Sequence, residues 1–230
     1  MSHHSASPLT TVPEVYEALY AAFGPQHWWP ADTPFEVAVG AILTQNTAWT
    51  NVERAIAGLK EAERLGPEAI TAAPDAELAD LIRPAGYFNV KAQRLKALCR
   101  FLLDEVDGEI ERLAARPADQ VREELLSVKG VGEETADSIL LYALGQPVFV
   151  VDAYTRRIFE RLDHLSPKLS YRAIQAFFEA SLARDTALFN EYHALIVALG
   201  KDYCKPRPRC TACPLKSICP HPSRLSAETA

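Results

Sequence analysis

The sequence predicts an all-α protein. Strict apolar/polar alternation is almost absent, while apolar residues recur at spacings of three and four along nearly the whole chain. Helix start and stop signals punctuate it throughout. The 230 residues are 48% hydrophobic and 23% charged, which is globular usage and enough chain for a core without staples. Length alone allows one large domain or two small ones.

Thr11 can cap a first helix running through Val15, Leu19 and Phe23 to Gly24. Thr33-Pro34-Phe35-Glu36 is a capping box with proline at the first helical position. The helix it opens, Phe35 to Leu43, is apolar nearly all round, the mark of a buried central helix. Val52, Ile56 and Leu59 mark the next. Pro67 and Pro74 start two short ones, a longer helix runs from Val90 to Leu103, and Pro117 starts another that ends near Leu126. Ser127-Val128-Lys129-Gly130-Val131-Gly132 is a tight glycine turn. The helix from Glu133 to Leu144 leaves it, closed by Gly145. Pro147 to Val151 is the single strand-like run and reads as a buried extended connector. Helices follow at Ala153–Leu162, Tyr171–Ala183 and Leu188–Leu199, the last ended by Gly200. The tail after Cys219 reads as frayed.

No apolar run approaches the ~18 residues of a membrane span. The start, Met1 to Pro8, has no apolar core like a secretion signal. These features exclude a membrane protein, a coiled-coil rod, a collagen and a disulfide miniprotein. They predict a soluble cytoplasmic protein. The net charge of −6 supplies no global basic field, so binding to nucleic acid requires a local basic face.

Leu125 to Ala136 holds the most specific internal motif. Two glycines around one apolar residue turn the chain sharply, so that the amides of Gly130, Gly132 and the next helix can face one anion. A nucleic-acid phosphate fits there and fixes position without reading sequence. An ordinary helix–helix turn is the bland alternative. Asp152 stands just before a helix, as an N-cap does. An N-cap also fixes where the carboxylate lies.

Cys204-x5-Cys210-x2-Cys213-x5-Cys219 places four thiols in one window, which suits Zn²⁺ or an iron–sulfur cluster. A disulfide pair is disfavoured without an export signal. Lys201, Lys205, Arg207, Arg209 and Lys216 stand against Asp202 alone in this window. That is the local basic face, and Lys205, Arg207 and Arg209 are the side chains expected to contact nucleic-acid phosphates. Cys99 reads as a buried small hydrophobe.

The order of these motifs, Gly-Val-Gly-x-x-Thr-Ala-Asp, a helix, Val-Val-Asp152, another helix and then four cysteines, resembles the endonuclease III superfamily of helix-hairpin-helix DNA glycosylases from about Thr11 to Cys219. The resemblance implies two helical lobes with a DNA-facing cleft between them. Residues 31–145 would form the central lobe. Residues 1–30 and 146–230 would form the second, carrying the cluster loop at 204–219. It implies Asp152 as catalytic carboxylate, a [4Fe–4S] cluster on Cys204, Cys210, Cys213 and Cys219, and double-stranded DNA with damaged bases as partner of a monomeric enzyme. It implies hairpin contacts to DNA from Lys129, Gly130 and Gly132. Gln45 and Asn46 would act as wedges in the opened duplex, with Tyr87 in the intercalating slot.

Bifunctional members of the superfamily carry a lysine in the pattern Gly-Val-Gly-x-Lys-Thr-Ala. Here that slot holds Glu134, which cannot form a Schiff base. The adenine-mismatch branch needs a glutamate where this chain has Ala41. Trp28-Trp29-Pro30, Phe35-Glu36, the run Gly40 to Thr47 and the glutamate in the lysine slot are similar to the 3-methyladenine DNA glycosylase III type. The best-known member of that type lacks the cysteine cluster. This similarity implies a monofunctional enzyme for alkylated purines, with Trp28 and Trp29 in the base pocket. A cationic flipped base against indole gains about 1–2 kcal/mol. The alternatives are a bifunctional glycosylase and lyase for oxidised pyrimidines, and a non-catalytic lesion-binding module.

Overall fold

The computed structural model describes residues 10–222. The amino-terminal segment Met1 to Pro8 and the tail from Ser223 onward, both read above, lie outside the described residues. All regular structure in the described residues is helical, and the chain divides into two compact units, Met1–Trp28 with Phe149–Ala230, and Trp29–Val148.

The second unit is continuous in sequence. It contains α2 (Pro34–Leu43), α3 (Trp49–Glu61), α4 (Pro67–Ala72), α5 (Asp75–Leu81), α6 (Phe88–Val106), α7 (Ala118–Ser127) and α8 (Glu133–Ser138). The Thr33 hydroxyl caps α2, accepting from the Glu36 amide. Every residue from Phe35 to Leu43 is buried, so α2 is central, and α3, α6 and α8 pack around it. Its apolar circumference leaves it no solvent face. Short 3₁₀ turns at Arg83–Ala85 and Ile110–Ala115 complete the unit. The helix expected from Glu133 to Leu144 changes pitch at Ser138 and continues as a π-turn over Ile139–Ala143. Gly145 then takes a left-handed φ of 65°, as the sequence predicts.

The other unit joins α1 (Val12–Phe23) to α9 (Ala153–Arg161), α10 (Tyr171–Ser181) and α11 (Thr186–Asp202). Thr11 and Glu14 close the first helix with a reciprocal capping box. The core is aromatic: Phe149 stacks on Phe178 at 4.2 Å, and Phe159, Phe189 and Tyr192 meet these rings edge-on. The Tyr192 hydroxyl, buried with its ring, donates to the Val12 carbonyl at 2.7 Å. The extended run after Val148 pairs with side chains instead of a second strand. The Phe149 amide donates to Glu179, its carbonyl accepts from Gln175, and the Val151 amide donates to the Tyr171 hydroxyl. The buried backbone is thereby satisfied without a sheet.

One expected helix end is corrected. Gly200 does not terminate α11, which continues through it to Asp202. A Cβ at Gly200 would overlap the Tyr154 ring of α9. The glycine serves a close approach of two helices, not a stop.

Candidate functional site

The glycine turn joins α7 to α8. Gly130 has φ of 94°, a conformation that L side chains rarely adopt. Arg94 fills the space where its Cβ would sit, so glycine is required twice over. Gly132 precedes α8 without a side-chain cap, leaving first-turn amides of the kind that receive anions. Lys129 is exposed at the tip and Glu134 is exposed on the first turn of α8. Arg122 of α7 braces the motif with a two-point pair to Asp137 of α8, at 2.7 and 3.2 Å, and a third bond to Glu133.

The two expected wedge stretches lie in the same unit. Gln45 is anchored inward: its amide nitrogen donates to the Gly130 carbonyl at 3.2 Å and the Thr135 hydroxyl at 2.9 Å, and its oxygen accepts from Arg94. Asn46 and Tyr87 both hold left-handed backbone, φ 55° and 46°. Non-glycine residues keep that conformation only where their surroundings impose it. Tyr87 is 72% exposed, the most exposed large apolar side chain among the described residues. Phe88 packs against the core under the Arg83 guanidinium.

Trp28 belongs to the first unit and Trp29 to the second. Trp29 lies over Gly40, 3.2 Å from where a side chain would begin and so closer than ordinary van der Waals contact, with Trp49 at 4.9 Å and Tyr142 at 5.0 Å between ring centres. Tyr142 is presented by the π-turn, a distortion often found at functional sites.

Asp152 caps α9. Its Oδ1 accepts from the Thr155 amide at 2.6 Å and hydroxyl at 2.8 Å, and its Oδ2 lies 3.7 Å from His193 Nε2. His193 is buried. Burial pushes its pKa below the usual value, the Asp152 charge opposing in part. His164 is shifted the same way, also by burial. Both rings therefore refuse protons that the unfolded chain accepts below about 6.5, so stability should be full above that pH and fall as pH drops through it. Thermal melts at pH about 7.5 and about 5.5 should show the decline, and His193→Gln should make it shallower. An unchanged slope in that variant would assign the loss to other groups.

Cys204, Cys210, Cys213 and Cys219 line one small concavity, with Arg161 and Lys216 beside them. All four are free thiols. Burial raises the pKa values of Cys213 and Cys219, and the neighbouring sulfurs add to the effect. Among the described residues no three His, Cys, Asp or Glu side chains are drawn together as a ready metal-ion site. The loop is tied to α9 through three backbone carbonyls and one sulfur: Arg157 donates to Cys204 O, and Arg161 to Lys205 O, Pro206 O and the Cys204 sulfur. Arg207 and Arg209 are exposed, and Lys205 is half-buried.

His193, Arg94 and Lys91 carry no local signal in the sequence. His193 lies within an apolar helix face, and the contacts that give Arg94 and Lys91 their interest include partners 49 and 48 positions away.

A helical protein with a braced glycine hairpin and a helix-capping aspartate after it is of the helix-hairpin-helix DNA repair class. Residues 39–184 match the family model described as HhH-GPD superfamily base excision DNA repair protein, and the chain belongs to that superfamily. It is 48% identical over 208 residues to a Methanocaldococcus jannaschii protein named as a DNA repair glycosylase, MJ1434, covering 90% of this chain and 94% of that one. Endonuclease III in a non-covalent complex with DNA superposes with a TM-score of 0.81 at 25% identity, over 94% of this chain and 97% of that chain. The 3-methyladenine DNA glycosylase MagIII of H. pylori, bound to 1,N6-ethenoadenine, superposes at 0.73 with 29% identity, over 84% and 98%. The chain is a DNA N-glycosylase that binds DNA. No helix among the described residues is long and apolar enough to cross a membrane.

Proposed function

We infer that the chain is a monofunctional glycosylase for alkylated purines in double-stranded DNA, acting as a monomer in the cytoplasm. The observation that carries this reading is Glu134 on the first turn of α8, in the slot where bifunctional relatives of the resemblance carry an amine. A carboxylate there cannot form a Schiff base with the sugar C1′. The aromatic group around Trp29, and the likeness to a 3-methyladenine glycosylase, support a flat, electron-poor base as the substrate.

In this reading the amides around Gly130 and Gly132 hold a backbone phosphate, and Lys129, Lys205, Arg207 and Arg209 add charge on others. Tyr87 takes the place of the lost stack, with Gln45 and Asn46 beside it. The flipped base lies against Trp28 and Trp29, where a cationic ring gains more than a neutral one. The Asp152 carboxylate stabilises positive charge developing on the sugar and orients the attacking water. Product is released with the strand intact. A panel of duplexes with defined lesions, assayed with and without alkali, tests this. Excision of alkylated purines with strand breaks only after alkali, and no covalent trapping by borohydride, is expected. Efficient trapping by the wild type would overturn it and make Lys129 the first amine to replace.

The four thiols around one concavity fit a [4Fe–4S] group on Cys204, Cys210, Cys213 and Cys219. When bound it supplies metal–thiolate bonds that hold the loop in shape. Protein purified without oxygen should be brown and contain iron and acid-labile sulfide. Stoichiometric zinc without sulfide would replace the cluster with a structural ion.

A further inference from the structure

Lys91 of α6 is 1% exposed. Its ammonium donates to the Leu43 carbonyl at 2.9 Å and to the Ala85 carbonyl at 2.8 Å. Leu43 ends α2, two residues before Gln45. Ala85 ends the 3₁₀ turn, two residues before Tyr87. One buried side chain therefore holds the entry to both wedge stretches, at the points from which each chain turns into left-handed backbone. Gly86 and Tyr87 take φ of 68° and 46°, and Asn46 takes 55°.

Burying this ammonium is costly, and its acceptors are neutral carbonyls, not a carboxylate. Burial, with the Arg94 charge adding to it, lowers its pKa to about 8. A methionine would fill the same space without that penalty, so packing does not explain a lysine. Arg94, three residues further on the same helix, donates to Gln45, whose amide reaches the Gly130 carbonyl and Thr135. Lys91 and Arg94 together join both wedge stretches and the hairpin to one helix.

We propose that Lys91 is a positioning residue for strand opening, clamping the Gln45–Asn46 and Tyr87 stretches so that they enter duplex DNA as one body. The proposal rests on the reading of this chain as a base-flipping glycosylase, and its test is separable from the identity of the lesion. The probe is a duplex carrying a tetrahydrofuran abasic analogue opposite 2-aminopurine, whose fluorescence reports whether its neighbours remain stacked. Wild-type protein should perturb that signal on binding. Lys91→Met should bind the duplex yet lose the perturbation, while retaining the wild-type response on a probe with the same site in an unpaired bulge. On a lesion that the wild type excises, its single-turnover rate should fall about tenfold or more from paired duplex, the loss expected of one charge-assisted hydrogen bond, and less than twofold from the bulge.

Lys91→Arg, which keeps the charge and the donors, should recover part of the signal. Tyr87→Ala combined with Lys91→Met should cost no more than either change alone, because the two act as one unit. If Lys91→Met does not fold, Lys91→Gln takes its place and must show the same selective loss. A variant with unchanged opening, or with equal loss on paired and bulged probes, overturns the proposal. Absence of excision by the wild type on every lesion, with normal opening of the fluorescent probe, would sink the functional reading and leave the clamp standing. A wild type that does not perturb the probe overturns the clamp itself.

Discussion

Asp152→Asn should fold like the wild type and excise bases about 10²-fold more slowly or worse. Asparagine is as good an N-cap as aspartate. Its side-chain oxygen can accept the two bonds from Thr155 that now reach Oδ1 at 2.6 and 2.8 Å. Shape and helix start are therefore retained, and the charge alone is removed. That charge is what a sugar losing its base requires, since positive character develops as the glycosidic bond lengthens. Asp152→Ala makes the complementary case. It removes charge and cap together, so it should lose activity to a similar degree and also about 1 kcal/mol of stability. Single-turnover excision with paired thermal melts distinguishes the two variants. A fully active asparagine enzyme would remove Asp152 from the chemistry and leave it a helix cap.

The largest expected effect on stability is at Arg122. Its side chain is 5% exposed and that of its partner Asp137 is 0% exposed. Replacing Arg122 with methionine keeps most of the volume but leaves the Asp137 carboxylate buried without its guanidinium. Breaking such a pair from one side costs about 3–5 kcal/mol. The pair joins the two helices of the hairpin, so DNA affinity should weaken with stability. Replacing both partners, Arg122→Met with Asp137→Leu, should restore most of the loss, because a buried ion pair gives little net stabilisation over well-packed apolar groups. Urea unfolding of the three variants measures this. Equal destabilisation by the single and double changes would show that packing at Arg122 dominates, not charge.

Local signals in the sequence carried far. Thr11, Thr33 and Asp152 start helices because a short polar side chain beside the first turn accepts an orphan amide, and that chemistry is visible within four residues. Gly145 ends a helix by the same local logic. Gly200 shows where that logic stops. A glycine in a helix is a stop when the chain must turn, and a contact point when another helix needs the space. Only the position of Tyr154, far away in sequence, decides which applies. The π-turn at Ile139–Ala143 has no composition that marks it. The site divides along the same line. Asp152, the hairpin glycines and the cysteine window announce themselves by spacing. His193, Arg94 and Lys91 look like ordinary members of helices, and their interest arises from Asp152, Gln45 and Leu43, which lie 41, 49 and 48 positions away.

The unit that carries Asp152 is assembled from both sides of an uninterrupted insert, with α1 packed on α11 and Tyr192 bonded to the Val12 carbonyl. During synthesis Trp29–Val148 leaves the ribosome as a complete unit while α1 still lacks its partner. The insert can fold at once, because all of its helices are already synthesised. The aspartate's own unit must wait for α11. Folding the insert first also shortens the effective loop that separates α1 from α11, which lowers the entropic cost of their meeting. Nascent chains arrested before Phe189 should thus contain a protease-resistant insert and an undocked α1, so the hairpin matures before the unit that carries Asp152.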